Sequence, residues 1–528
     1  MTNVATSRAE RTFALLGIVL FAALATLLAS FHEPWHDELQ AWRIAIDSRN
    51  LVDLAQNLRY EGHPMLFYLL LRAVGMLSRS WTAAVAFHLV IACATAFIVL
   101  RFAPFSRLQR VLVIGGYFFL YEYTVLVRSY GLGALFALGA CAAWCAPRRR
   151  THVAVLLILL LANTRAVGLV LALAMTIAFV FDAFLYNHER WWARPAVWAK
   201  PLSIGVAATA MAVIVVLQIL PPRDSRYRGS GVTNEAATLW FVSHSFALPA
   251  HAFAPFADVW SNGTPRWGTW LFEPSTRSTE LASDLVALSL VLAAAAICVR
   301  HQSALLLWLA GVSGLLLFFM FFHAGSIRHH GYFVLAFIAA AWLAHARPPS
   351  RWPPIFHGWI TRFESLRPRV FSLLLAPMVL ASAQLGIADI RWEFTDAPAI
   401  SRLLQLPKFA NLPIVGLAYA ESQTVAALLD RPVYLVGEQR LSTFRKLGQG
   451  RLRAPDAELA DSTVSHLLTK NCRVILIGSK QNPPSMWLRA RAELLSARNA
   501  VEISNMRMYV WLVHAPASPI CPAASQGP

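Results

Sequence analysis

The sequence is dominated by apolar runs of a length that hydrocarbon demands, and few soluble folds can hide so many. Crossing a bilayer takes about 20 apolar residues in a helix. Such runs fall near residues 12–30, 81–100, 111–127, 130–146, 152–162, 167–185, 201–220, 281–299, 303–322, 331–346 and 370–388. That spacing predicts a helical polytopic membrane protein with about eleven transmembrane helices. Bulk composition agrees: 57% of the 528 residues are hydrophobic, only 14% are charged, and the mean hydropathy is +0.51. The run at 152–162 is too short to span alone and ends in Asn163-Thr164-Arg165. A helix broken around a polar turn is tolerated at depth where it lines a cavity, so this break is expected to face a site.

A net charge of +18 would suggest nucleic acid in a soluble protein. Here much of the arginine lies in short loops between apolar runs, where it sets orientation, so no nucleic-acid partner is expected. The apolar stretch 64–77 decides the topology. If it crossed, Arg101/Arg107/Arg110 and Arg148/Arg149/Arg150 would fall outside, against the positive-inside rule. If it lies in the interface, those clusters, Arg190/Arg194/Lys200 and Arg347/Arg351/Arg362/Arg367/Arg369 all fall inside. The second arrangement predicts a cytoplasmic amino terminus in a bacterial inner membrane, an uncleaved first span, and a periplasmic loop over 31–80.

After residue 388 the composition changes. Apolar runs shrink to strand length at 412–417, 432–436 and 473–478, with helical stretches at 421–429 and 463–468 between them. Alternating strands and helices predict a small C-terminal α/β domain, residues 389–528, with a partly parallel sheet, set in the periplasm behind a transmembrane domain of residues 1–388. No nucleotide-binding fingerprint occurs in it, and Gly131-Leu132-Gly133 sits inside a span, where close helix packing is the simpler reason. Cys93, Cys141, Cys145 and Cys298 read as small apolar residues of spans, whereas Cys472 and Cys521 lie where a disulfide is chemically allowed.

Two polar segments stand out against this background. Directly after the first span comes Phe31-His32-Glu33-Pro34-Trp35-His36-Asp37-Glu38-Leu39-Gln40-Ala41-Trp42, and then Glu61-Gly62-His63-Pro64-Met65-Leu66-Phe67-Tyr68. Adjacent carboxylates at a membrane surface cost desolvation energy unless something uses them. Asp37 has two readings: a catalytic carboxylate, or an acidic residue at the start of an interfacial helix, where the dipole favours it.

The two segments together resemble the first outer loop of the GT-C superfamily of membrane glycosyltransferases, in the branch of protein mannosyltransferases and lipid A aminoarabinose transferases. In that branch an Asp-Glu motif follows the first transmembrane helix and a His-Pro step opens a surface helix. Glu61-Gly62-His63-Pro64-Met65 departs from it, since many relatives carry a second proline after the first. The resemblance implies a sugar taken from a polyprenyl-phosphate carrier and moved to a glycan, lipid or protein acceptor, with inversion. Asp37 matches the catalytic aspartate and Glu38 its acidic neighbour.

The chemistry such a transfer needs is simple to state. A carboxylate near the interface can take the acceptor's proton, and fixed cations must meet the phosphate leaving group on the same side. Cations at predicted outer span ends are Arg128 in Val127-Arg128-Ser129-Tyr130, similar to the family's Arg-x-Tyr segment, Arg165 at the broken helix, and Arg328 in His323-Ala324-Gly325-Ser326-Ile327-Arg328-His329-His330. An arginine fork suits phosphate; the competing reading for each is a side chain snorkelling to lipid headgroups. Glu61, His63, His329 and His330 are candidates to position the acceptor or bind a divalent metal ion, as some family members do. The outer loop 221–280, with Arg223, Asp224, Arg226, Tyr227 and Arg228, is placed to close over the donor; its Asn262-Gly263-Thr264 sequon reads as chance. Two other functions remain open on the same residues. One is an arginine-based polysaccharide polymerase or ligase, and the other a lipid-sugar flippase or exporter without catalysis.

Overall fold

The computed structural model describes residues 8–186, 195–223, 246–256, 277–323, 325–350, 352–446, 457–479, 483–497 and 508–516. Eight helices in it are long and apolar enough to cross a membrane. They are α1 (Arg8–Phe31), α5 (Trp81–Phe102), α9 (Ala166–Tyr186), α10 (Pro195–Ile219), α12 (Arg277–Cys298), α13 (Gln302–Phe321), α14 (Ile327–Ala346) and α15 (Pro354–Arg391). The polytopic helical architecture expected from the hydropathy pattern is therefore present. α14 is the central staff: nearly every residue from Tyr332 to Ala344 is sealed inside the bundle.

The other three expected spans take shorter forms. Residues 111–127 do not make one helix. α6 (Arg107–Gly115) stops at Gly116, a π-helical turn follows over Phe118–Glu122, and the chain then runs irregularly to Arg128. Glycine is a poor helix continuer, and the turn places Tyr117, Tyr121 and Glu122 inward, so tertiary contacts replace the ladder. α7 (Ser129–Trp144) and α8 (Thr151–Ala162) are 16 and 12 residues long. α8 ends at Asn163, as the polar turn predicts, and α9 restarts the path one turn later. α15 is conversely longer than its apolar core, 38 residues, because the helix runs on through Arg362, Arg367 and Arg369. Pro368 lies inside it, and the Pro368 carbonyl accepts from Gln109 Nε2 at 3.1 Å.

The glycine pair in α7 does serve packing. A methyl group at Gly131 would collide with the Tyr123 carbonyl, and one at Gly133 with the Tyr332 hydroxyl. The four cysteines of the apolar helices are free, Cys472 is disulfide-bonded, and Cys521 lies outside the described residues.

Between the first two long helices lie α2 (His36–Asp47), α3 (Leu51–Leu58) and α4 (Leu66–Leu77). At 12 residues α4 rises about 18 Å, too little to cross about 30 Å of hydrocarbon. It packs instead on α2, where Gly75 leaves room for Ile46, and Arg72 donates to the Ala45 and Ser48 carbonyls at 3.1 and 2.6 Å. Those bonds satisfy carbonyls at the end of α2 that no helical partner reaches.

The carboxy-terminal part follows with α16 (Ala397–Leu404), β1 (Ile414–Gly416), α17 (Tyr419–Leu429), β2 (Val433–Leu435), β3 (Arg440–Ser442), α18 (Ala457–Leu468), β4 (Arg473–Gly478), α19 (Met486–Arg489), β5 (Ala492–Ala497) and β6 (Tyr509–His514). Its sheet has the order β3-β2-β1-β4-β6-β5. β1 is parallel to β2 and β4, and the edge pairings are antiparallel, which is the mixed α/β arrangement the strand-helix alternation predicts. α17 packs directly on α2, so this segment sits on the polar loop after the first span. Arg43 of α2 donates to Asp430 and to the Ala427 carbonyl, and Thr443 donates to Asp47. Asp430, at φ +50°, closes the end of α17 in that position.

Candidate active site

Residues at the end of α1 and at the starts of α7 and α14 meet the start of α2. The two adjacent carboxylates of α2 are put to different uses. Glu38, fully buried, occupies the third helical position. It accepts the Trp35 N–H at 3.2 Å, the Val127 N–H at 2.6 Å and a bond from His32 Nε2 at 3.1 Å. It therefore does the helix-start work that was the alternative reading of Asp37, and it fixes the residue preceding Arg128. His32 bridges Glu38 to Asp389 of α15, with Nδ1 3.1 Å from Asp389 Oδ2. Burial alone would push the imidazole pKa down, but Glu38 and Asp389 hold it up at about 10, so His32 is a cation clamped between two acids.

Asp37 projects away from this clamp. Its Oδ2 lies 2.9 Å from Arg328 Nη2 and 3.7 Å from Arg128 Nη2, and its Oδ1 lies 3.2 Å from His36 Nε2. The side chain keeps 22% exposure, against none for Glu38. Burial opposes ionisation, yet the two guanidiniums and His36 outweigh it and hold the carboxyl well below the usual aspartate range. Arg128 also donates to the Asp37 carbonyl, while Arg328 lies over the Trp35 ring at 4.7 Å and its carbonyl accepts from Tyr123 Oη at 2.9 Å.

Arg165, in the turn between α8 and α9, is buried and reaches the same place. Its Nε donates to Ser129 Oγ at 2.8 Å, its Nη1 to Tyr130 Oη at 2.5 Å, and its guanidinium covers the Tyr130 ring at 3.9 Å. His329 Nδ1 accepts the Ser326 N–H at 3.0 Å, which assigns the ring proton to Nε2 and makes His329 a donor to Tyr130 Oη at 2.9 Å. Tyr130, receiving from both, directs its own hydroxyl hydrogen elsewhere. The break at 163–165 thus faces the site, as its polarity implied.

His63 Nε2 stands 3.4 Å from Arg165 Nη2. Burial, with Arg165 and Arg128 nearby, keeps this imidazole neutral and its pKa well below the ordinary value. Glu61 accepts from Gln40 Nε2 at 2.9 Å, and burial raises its pKa. His330 points away, its ring edge-on to Phe319 at 5.1 Å and to His251 of α11 (Leu248–Phe253) at 5.6 Å. The residues do not suit a divalent metal. His63 and His329 both face a guanidinium, and among the described residues no three of His, Cys, Asp or Glu gather at ligand distance. In the loop 221–280, Asp224, Arg226, Tyr227, Arg228 and the sequon lie outside the described residues.

Three contributors carried no local sequence signal. Gln40, Tyr68 and Arg445 approach Glu61 by folding alone, and Arg445 comes from the carboxy-terminal segment.

No family model and no curated protein matches the chain. Among solved structures, ArnT from Cupriavidus metallidurans in the apo state is similar at 14% identity and a TM-score of 0.49, over 94% of this chain and 97% of that one. The same protein bound to undecaprenyl phosphate is similar at 13% identity and 0.49, over 95% and 99%. Likeness at that level assigns no activity.

Proposed function

We propose that the chain is a membrane glycosyltransferase that moves one sugar from a polyprenyl-phosphate carrier to an acceptor hydroxyl, with Asp37 as general base. The observation that supports this most is the Asp37 carboxylate held between Arg128 and Arg328 at one end of a helix bundle. A base and a phosphate cradle are the two devices the transfer needs, and here they are adjacent.

The acceptor oxygen attacks the anomeric carbon from the face opposite the phosphate, its proton passes to Asp37 Oδ1 or Oδ2, and the bond from the anomeric carbon to the phosphate oxygen breaks. One displacement inverts the centre. The lipid phosphate leaves as an anion among Arg128, Arg328 and Arg165, whose planar forks match phosphate oxygens, and Tyr130 offers its hydroxyl hydrogen to the same group. Donor binding would also prepare the base. As phosphate oxygens draw on Arg128 and Arg328, Asp37 loses part of the attraction that depresses its pKa and becomes more basic. Glu38 and His32 hold α2 and Arg128 in register rather than touching substrate.

In the membrane, the arginines of the positive-inside pattern lie away from this end. Arg107 and Arg110 pair with Glu10 at the start of α1, and Arg149 and Arg347 with Asp182 near the end of α9. This supports a site on the periplasmic side of a bacterial inner membrane.

The test is transfer by the purified full-length protein in nanodiscs, supplied with polyprenyl-phosphate mannose, glucose or arabinose and an envelope lipid and glycan extract. Release of polyprenyl phosphate together with a new glycosidic bond is expected. Movement of intact lipid-linked sugar across the bilayer of sealed liposomes holding the protein, without bond formation, would overturn the reading in favour of a transporter.

A further inference from the structure

Asp37 and Gln40 are one turn apart on α2 and share a face. Gln40 is buried and its amide is saturated. Oε1 accepts the Arg445 N–H at 3.1 Å, and Nε2 donates to the Arg445 carbonyl at 2.7 Å and to Glu61 Oε1 at 2.9 Å. It grips the backbone of Arg445 at both polar atoms, as a neighbouring strand would, and ties it to Glu61. The chain that carries Arg445 is otherwise remote, 405 residues from Gln40.

Gln40 thus holds the Arg445 backbone and the Glu61 carboxylate on one side chain, with no ion pair closing between the two. The Arg445 charge acts on Glu61 and on Glu421 of α17, yet among the described residues Arg445 forms no ion pair, and its buried Nε has no hydrogen-bond partner. Glu61 is engaged through one oxygen. A buried donor without a partner, beside a carboxylate engaged through one oxygen, favours a ligand that completes both. The charges narrow its class. A metal cation is opposed by the guanidinium and an anion by the carboxylate, whereas a neutral polyol can donate one hydroxyl to Glu61 and accept from Arg445 with the next.

We propose that Glu61 and Arg445 form a saccharide subsite in which adjacent hydroxyls of a sugar bridge carboxylate and guanidinium, and that Gln40 is the positioning residue that sets their spacing. This rests on the sugar-transferase reading and deepens it: the carboxy-terminal segment supplies half of the sugar recognition, one turn of α2 away from the base.

The experiment uses the full-length chain in nanodiscs and the methyl glycosides of mannose, glucose and arabinose, each beside its 2,3-dideoxy analogue, with binding followed by tryptophan fluorescence. At least one glycoside should bind and its dideoxy analogue should bind more weakly. Arg445→Lys, which keeps the charge and loses the fork, and Glu61→Gln should each weaken binding about ten- to hundredfold, the usual worth of a hydrogen bond to a charged group. The exposed Arg402→Gln should leave it unchanged. If the diol belongs to the donor, undecaprenyl phosphate carrying that sugar binds more tightly than the bare lipid, and Arg445→Lys abolishes the excess. If it belongs to the acceptor, the glycoside and bare lipid bind together. Absence of glycoside binding, or equal binding in wild type, Arg445→Lys and Glu61→Gln, would overturn the subsite. Failure of the wild type to bind bare undecaprenyl phosphate would instead sink the transferase reading and leave the glycoside result standing.

Discussion

Replacing Asp37 with asparagine separates its charge from its shape. Asparagine keeps one acceptor oxygen for Arg328 Nη2, now 2.9 Å from the carboxylate, and the helix start is already secured by Glu38. What goes is the anion between two cations. A pair of unit charges about 4 Å apart is worth about 4 kcal/mol at an effective dielectric of 20, and most of that is offset by the desolvation of the partners, so a net loss of about 1–3 kcal/mol in stability is expected. Catalysis should suffer more, since loss of a general base typically costs about a hundred- to ten-thousandfold in rate. Donor affinity should hold or rise, because Arg128 and Arg328 no longer share their forks with a carboxylate. Single-turnover transfer from a polyprenyl-phosphate sugar, together with equilibrium binding of the bare lipid, reads both quantities. Near-normal turnover in Asp37→Asn would refute the base assignment and leave an arginine-based ligase as the better account; weakened donor binding would refute the competition between Asp37 and phosphate for the same forks.

Arg128→Lys and Arg328→Lys keep the charge and lose the fork, so lipid-phosphate binding should fall about ten- to hundredfold in each; unchanged binding in both would make them headgroup contacts. His32, held at a pKa of about 10 in the fold, contributes stability that is complete below its unfolded value near 6.5 and is lost as pH rises towards 10. Thermal unfolding in nanodiscs should accordingly move to lower temperature between pH 7 and 10, and the slope should flatten in His32→Gln. Gly331→Ala places a methyl group against the Tyr123 hydroxyl and the Phe118 ring in the most buried helix, which should cost about 1–3 kcal/mol and lower Tm measurably. Cysteines introduced at Arg148 and Arg402 should differ in labelling by a membrane-impermeant maleimide added from the periplasmic side, with only position 402 reacting; equal labelling would refute the proposed orientation.

What the chain declares locally is its solvent. Long apolar runs must be helices where water is absent, so the polytopic architecture and the strand-helix alternation of the carboxy-terminal segment are both legible as periodicity and length. The polar exceptions are legible too. Asp37, Arg128, Arg165 and Arg328 stand out because charge in or beside hydrocarbon is expensive, and folding brings all four together. Other matters depended on contacts between residues far apart in the sequence. Periodicity at 111–127 reads as a span, but inward packing of Tyr117, Tyr121 and Glu122 breaks it into a helix and a π turn. The Asp-Glu pair reads as one motif, yet Val127 and His32 claim Glu38 while two arginines claim Asp37, and no property of adjacent acids distinguishes them beforehand. The His-rich stretch 323–330 likewise reads as one cluster, but helical phase turns His329 to Tyr130 and His330 to Phe319. Arg445 carries no local mark at all, because its place beside Glu61 is set by a glutamine side chain 405 residues away. Sequence determines which medium each segment will accept; only the tertiary fold decides which charges meet, since that depends on how helix ends and a remote sheet converge in space.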